Sequence, residues 1–124
     1  MNFSKDLVAA SATPLVLAIL TEGESYGYAI LGRVSELSGG QLRWTDGMLY
    51  PLLHRLERLG HVETRWRTSH VGRRRKYYRI TRQGRRQLSD QREQWQVVDT
   101  TLRGIWLSAC GAAGPSLTPR TREP

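Results

Sequence analysis

Between Asp46 and Ile80 the hydrophobic period changes once, from helical to alternating, and that change limits the folds open to the chain. Leu49, Leu52, Leu53, Leu56 and Leu59 follow the 3.6-residue period, so they form one apolar stripe on a helix that Gly60 is placed to end. Thr45 suits the N-cap of this helix, and Trp44 before it can staple onto Leu49. The opposite face carries Gly47, Tyr50, Pro51, His54 and Arg58, with Arg55 on its flank. Pro51 lies past the first turn and removes one backbone hydrogen bond, yet the stripe continues in register on both sides of it. From His61 the period is two. Val62, Thr64 and Trp66 alternate with Glu63, Arg65 and Arg67 as a strand with one inward face. Residues 68–72 read as a turn, and Lys76 to Ile80 returns as a second strand with Tyr78 and Ile80 on one face.

Upstream, Ser4 caps a short amphipathic helix to Ala10, and Pro14 opens a second helix, capped by Thr13, that runs to about Glu22. Its stretch from Leu15 to Leu20 is apolar almost all round, as expected of a buried central helix. Gly23 stops it, and Ser25 caps a third helix in which Gly27, Ile30, Leu31, Val34 and Leu37 follow the helical period until Ser38-Gly39-Gly40. Downstream, Thr81 caps a long final helix from Arg82 to about Ser108. Within it Leu88, Trp95 and Leu102 lie seven apart, with Val98 and Ile105 at the alternate positions. This is a heptad seam broken only by Gln91. The remainder is rich in Gly, Pro, Ser and Thr, carries two Arg and lacks an apolar pattern to bury. The expected division is therefore a domain over 1–81, a dimerisation helix over 82–108 and a disordered tail over 109–124.

Charge separates these segments further. The chain of 124 residues carries a formal charge of +8, and the excess comes from one place. Residues 65–86 hold ten basic side chains and no acid, while the rest of the chain has nine basic and all eleven acidic residues. A solvated charge run is the plain alternative, but Trp66, Tyr77, Tyr78 and Ile80 are interleaved with the cations, as in a folded surface. Such a patch suits a polyanion, most often nucleic acid. Seventeen arginines against two lysines suggest a GC-rich bacterial genome.

Compact helices, then a helix with a polar outer face, then a basic two-stranded hairpin describe a mainly α fold with a small β-wing: a winged helix-turn-helix. An α-helix fits the major groove of B-DNA, which is about 12 Å wide. The preceding helix would cross the backbone with its N-terminal N–H groups towards a phosphate, through Ser25 and Tyr28. The second would enter the groove through Thr45, Gly47, Tyr50, His54, Arg55 and Arg58, Gly47 letting the backbone approach closely. Arg73, Arg74, Arg75 and Lys76 would reach phosphates or the adjacent minor groove.

The residues also carry a family resemblance. The stretch from Asp46 to Glu57, DGMLYPLLHRLE, resembles the recognition-helix signature of PadR-type transcriptional regulators, roughly G-T-L-Y-P-x-L-x-R-L-E. Tyr26-Gly27-Tyr28, and Gly72 to Thr81 (GRRRKYYRIT), resemble that family's GY and wing motifs in the same order, and the whole spans about Leu15 to Ile105. Met48 stands where the family has threonine, a residue whose hydroxyl is expected on a phosphate. The resemblance implies the family's short branch, with a single C-terminal helix. It further implies a homodimeric repressor on an inverted-repeat operator, the last helices pairing across the dimer, in agreement with the seam of Leu88, Trp95, Val98, Leu102 and Ile105. In drug-sensing members a tryptophan pair from these helices sandwiches flat aromatic ligands. Trp95 occupies a matching place, so it is either such a platform or a core anchor of the dimer. Trp44, Trp66 and Trp106 are assigned to packing.

Other classes find little support. His54, His70 and the scattered acids assemble no nucleophile–base pair and no metal triad, so no catalytic residue, metal or cofactor is expected. Cys110, the single cysteine, excludes a disulfide framework. The longest strongly apolar run is six residues, against ~20 for a membrane span, and the N-terminal segment does not read as a signal peptide. A cytoplasmic protein without membrane contact is expected. The remaining competitor is a basic nucleoid-associated or RNA-binding protein without operator specificity.

Overall fold

The computed structural model describes residues 1–110, with four helices and a three-stranded antiparallel sheet. The expected tail lies outside these residues apart from its first two, which are helical. In chain order the elements are α1 (Lys5–Leu20), β1 (Ser25–Tyr26), α2 (Gly27–Leu37), α3 (Asp46–Arg58), β2 (Val62–Thr68), β3 (Arg74–Ile80) and α4 (Arg82–Cys110). Two compact units emerge, one over residues 1–89 and one from Asp90 onwards. No helix among the described residues is long and apolar enough to cross a membrane.

The two expected N-terminal helices are one. Ser4 caps it as expected, its Oγ accepting from the Leu7 N–H at 3.1 Å, but the helix continues through Thr13 and Pro14. Pro14 withholds the bond that the carbonyl of Ala10 would accept, and Ala10 is exposed, so that carbonyl can bond water instead. Burial of Val16, Leu17, Ile19 and Leu20 outweighs the lost bond. A second correction concerns Ser25. It is no helix cap but half of a two-residue strand, pairing with Tyr78 while Tyr26 pairs with Tyr77; α2 begins at Gly27 without a side-chain cap. Two residues are too few to show a period.

The rest of the first unit follows the expected pattern. Ile30, Val34, Leu49, Leu52, Leu53 and Leu56 enter one core with Val62, Tyr78 and Ile80 from the sheet. Leu59, expected in the stripe, lies at the end of α3 and is exposed. Gly60 there adopts φ +81°, and His61 and Gly60 N–H donate back to the Leu56 and Glu57 carbonyls at 2.9 and 3.0 Å. That is the left-handed helix stop glycine favours. The strands pair from Val62↔Ile80 to Thr68↔Arg74, longer than expected, around a turn in which Ser69 N–H donates to the Arg73 carbonyl at 2.8 Å.

Thr81 joins the hairpin to α4. Its hydroxyl donates to the Gly60 carbonyl at 2.6 Å and accepts from the Gly84 N–H at 3.0 Å, while its own N–H donates to the His61 carbonyl at 3.0 Å. Leu88, expected in the heptad seam, is 8% exposed and belongs to this core. The helix start still has sheet and α3 residues to pack against, so the seam loses its first member. Thr81→Val removes both hydroxyl bonds at nearly constant volume. It is expected to lower unfolding free energy by about 1–2 kcal/mol in urea titrations.

Candidate nucleic-acid interface

α2 and α3, joined by residues 38–45, form the helix-turn-helix, and the sheet sets the wing beside them. Burial of the leucine stripe turns the other side of α3 outward, so Gly47, Tyr50, Pro51, His54, Arg55 and Arg58 are all exposed. Thr45 occupies the N-cap position, but its side chain makes no cap bond, contrary to expectation. Its backbone carbonyl instead receives Met48 and Leu49 N–H at 3.1 and 3.0 Å. Met48 is partly buried against the core, so this position offers thioether packing where a hydroxyl was at issue. Trp44 is likewise partly buried against the core, as expected of a packing residue.

One close approach sets the geometry of the two helices. Tyr50 lies so near the start of α2 that a methyl group on Gly27 would overlap its hydroxyl and ring. Gly27 is thus the residue that admits Tyr50, and Tyr50 is held against α2 as well as facing outward. Tyr28, one residue on, is 80% exposed.

The wing cations are braced rather than loose. Arg74 lies over the Trp66 ring at 5.0 Å, Arg75 over Tyr26 at 4.4 Å, Arg67 over Tyr77 at 4.9 Å and Lys76 over Tyr78 at 5.6 Å. Some basic side chains are also matched by acids. Glu24 pairs with Arg65 and Arg67, and the Arg65 hydrogen bond holds its carboxyl below the usual carboxylate range. Arg79 pairs with Glu63 at 2.8 Å. Glu57 accepts from the Thr64 hydroxyl at 2.9 Å and lies 3.6 Å from Lys76, which ties α3 to the wing and places Lys76 deeper than expected. Arg73, Arg74 and Arg75 have no acidic partner among the described residues. Tyr28, Tyr50 and His54 face these cations across a cleft of roughly 580 Å³, which Trp66 also lines. Trp66, assigned to packing, is exposed: its strand face is the inward one, but it lies beyond the end of the core.

An exposed helix face beside a cationic hairpin has the shape and charge that suit a nucleic-acid duplex. The model of the PadR-like family of transcriptional regulators matches residues 16–90, which include both helices and the wing. The chain belongs to that family. A transcriptional regulator from Clostridium thermocellum is similar over 81% of this chain and 97% of its own, with 26% identity and a TM-score of 0.74. The PadR-like regulator from Bacillus cereus matches 82% of this chain and 97% of its own at 27% identity and TM-score 0.73. The PadR family regulator from Eggerthella lenta reaches 31% identity, over 82% and 86% of the two chains, with a TM-score of 0.70. This PadR-family protein is a DNA-binding transcriptional regulator of winged-helix fold and not an enzyme. Among its described residues no three His, Cys, Asp or Glu side chains gather to hold a metal.

The Gly27–Tyr50 approach yields a direct test. Gly27→Ala is expected to cost about 1–3 kcal/mol by overpacking. In a Tyr50→Ala background the same change should cost much less, because the colliding ring is gone. Urea denaturation of the four proteins in this cycle measures the difference.

Proposed function

We propose that the protein is a cytoplasmic homodimeric repressor that reads an inverted-repeat operator through α3 and the wing. The observation that carries the dimer is the outer part of α4. Val98, Leu102 and Ile105 are 46%, 38% and 58% exposed, and they continue a heptad row from the half-buried Trp95. A helix this long, with an apolar row left to water, calls for a partner, and a second copy offers the same row. A closed two-fold pair then brings two reading units to half-sites about one helical turn apart.

On the DNA side, Tyr50, His54 and Arg55 read base edges in the major groove. Arg58, Arg73, Arg74, Arg75 and Lys76 hold phosphates, and Thr45 and Gly47 bring the start of α3 to the backbone. Ser25 and Tyr28 contribute from the start of α2, Ser25 from strand β1 rather than as a cap. A nucleoid-associated or RNA-binding protein would show no operator preference, whereas this reading requires a preference of ~10³-fold or more over bulk DNA.

Ligand release rests on Trp95. Gln91 and Val98, its seam neighbours, are much smaller than an indole, which leaves room beside a pair of rings for a flat aromatic compound. Such a ligand releases DNA only to the extent that it favours the DNA-free geometry.

Two measurements test these readings. Light scattering at micromolar concentration should give twice the chain mass for the wild type, and monomer or unfolded protein for Leu102→Asp; a monomeric wild type rejects the dimer. Flat aromatic compounds should quench tryptophan emission in the wild type but not in Trp95→Ala, and should weaken operator binding. Quenching that survives in Trp95→Ala places the ligand elsewhere.

A further inference from the structure

Trp66 is the large apolar side chain of the wing that the DNA-binding residues so far named do not include. It is 57% exposed, although the pleat puts it on the same strand face as the buried Val62. It lies opposite Lys76 of β3, and the next pair on the same face towards the tip, two residues on, joins Thr68 to Arg74. From there the Arg74 guanidinium reaches back over the indole at 5.0 Å. The ring therefore lines the cleft with an arginine over it and Tyr50 and His54 of α3 across from it.

We propose that Trp66 is a DNA-contacting residue of the wing, its indole packing on the deoxyribose wall of the minor groove while Arg74 takes the adjacent phosphate. Three observations converge on it. The ring is a broad apolar surface left in water amid cations, where solvation alone gives no reason for an indole. It shares a cleft with the outer face of α3, so a duplex seated on that face passes the ring. The cation over it is already ordered by the ring, so less side-chain freedom is lost when Arg74 meets a phosphate. Sugar C–H groups are apolar and identical at every base pair, so the contact adds affinity without sequence preference.

The proposal rests on DNA seating along α3 and the wing, and the test separates the two. Fluorescence anisotropy follows two short labelled duplexes, one recovered by in vitro selection on the wild-type protein and one scrambled from it. Trp66→Ala should weaken both by the same factor, at least about fivefold, with an unchanged melting temperature. Trp66→Phe should stay within about threefold of wild type, because a smaller ring keeps most of the apolar contact. It should also lose part of the DNA-induced quenching of tryptophan emission. In an Arg74→Ala background, Trp66→Ala should weaken binding again, which separates a contact of its own from mere support of the arginine. Wild-type affinity in Trp66→Ala overturns the proposal, as does a loss confined to the selected duplex or one that vanishes without Arg74. Full quenching retained in Trp66→Phe overturns it too. A wild type on which selection recovers no duplex overturns the seating itself and the proposal with it.

Discussion

Burial of one leucine stripe decides what the molecule can present. Leu49, Leu52, Leu53 and Leu56 are almost wholly removed from water, each worth about 1.5–3 kcal/mol, and together they fix the rotation of α3 about its own axis. Once that rotation is set, Tyr50 and His54 can only face outward, because a helix turns about 100° per residue. The same helix then fixes its neighbours. Tyr50 rests on the start of α2 through the missing side chain of Gly27, and Glu57 reaches Thr64 and Lys76 of the wing. One buried face thus positions both the exposed face of α3 and the cationic wing beside it.

The wing shows how a segment of dense positive charge stays folded. Glu24 and Glu63 pair with three of the cations, Arg65, Arg67 and Arg79. Arg74 and Arg75 have no acidic partner among the described residues and lie over aromatic rings instead, Trp66 under Arg74 and Tyr26 under Arg75. Rings order a guanidinium without cancelling its charge, so the tip keeps its field while its cations are held in place.

Much of this was legible from residue spacing. The α3 stripe from Leu49 to Leu56, the hairpin faces apart from Trp66, the Gly60 stop and the Thr81 cap follow from short-range rules and stand as expected. What spacing misreads depends on tertiary context. Pro14 signals a helix start, yet burial of the following leucines carries α1 through it. Ser25 has a capping side chain, yet pairing with Tyr78 makes it a strand residue. Trp66 has the parity of a core residue, and only the end of the core, invisible in a linear pattern, leaves it exposed. Leu88 fits a heptad, but the first turns of α4 find their own domain to bury against. The Gly27–Tyr50 approach carries one usable signal, a glycine in the first turn of a helix, which spacing alone does not connect to Tyr50.

In the binding mode we propose, α3 and the wing hold duplex DNA through the cations of the hairpin, Arg73, Arg74 and Arg75, with Lys76 beside Glu57. The salt dependence of binding tests it most directly, since each phosphate contact contributes about 0.9 to the log–log slope for B-DNA. Replacement of Arg73, Arg74, Arg75 and Lys76 by alanine should flatten the slope, by about 3.6 units if all four touch phosphate, while the melting temperature stays near wild type. A slope equal to that of the wild type would show that these four side chains touch no phosphate, contrary to this binding mode.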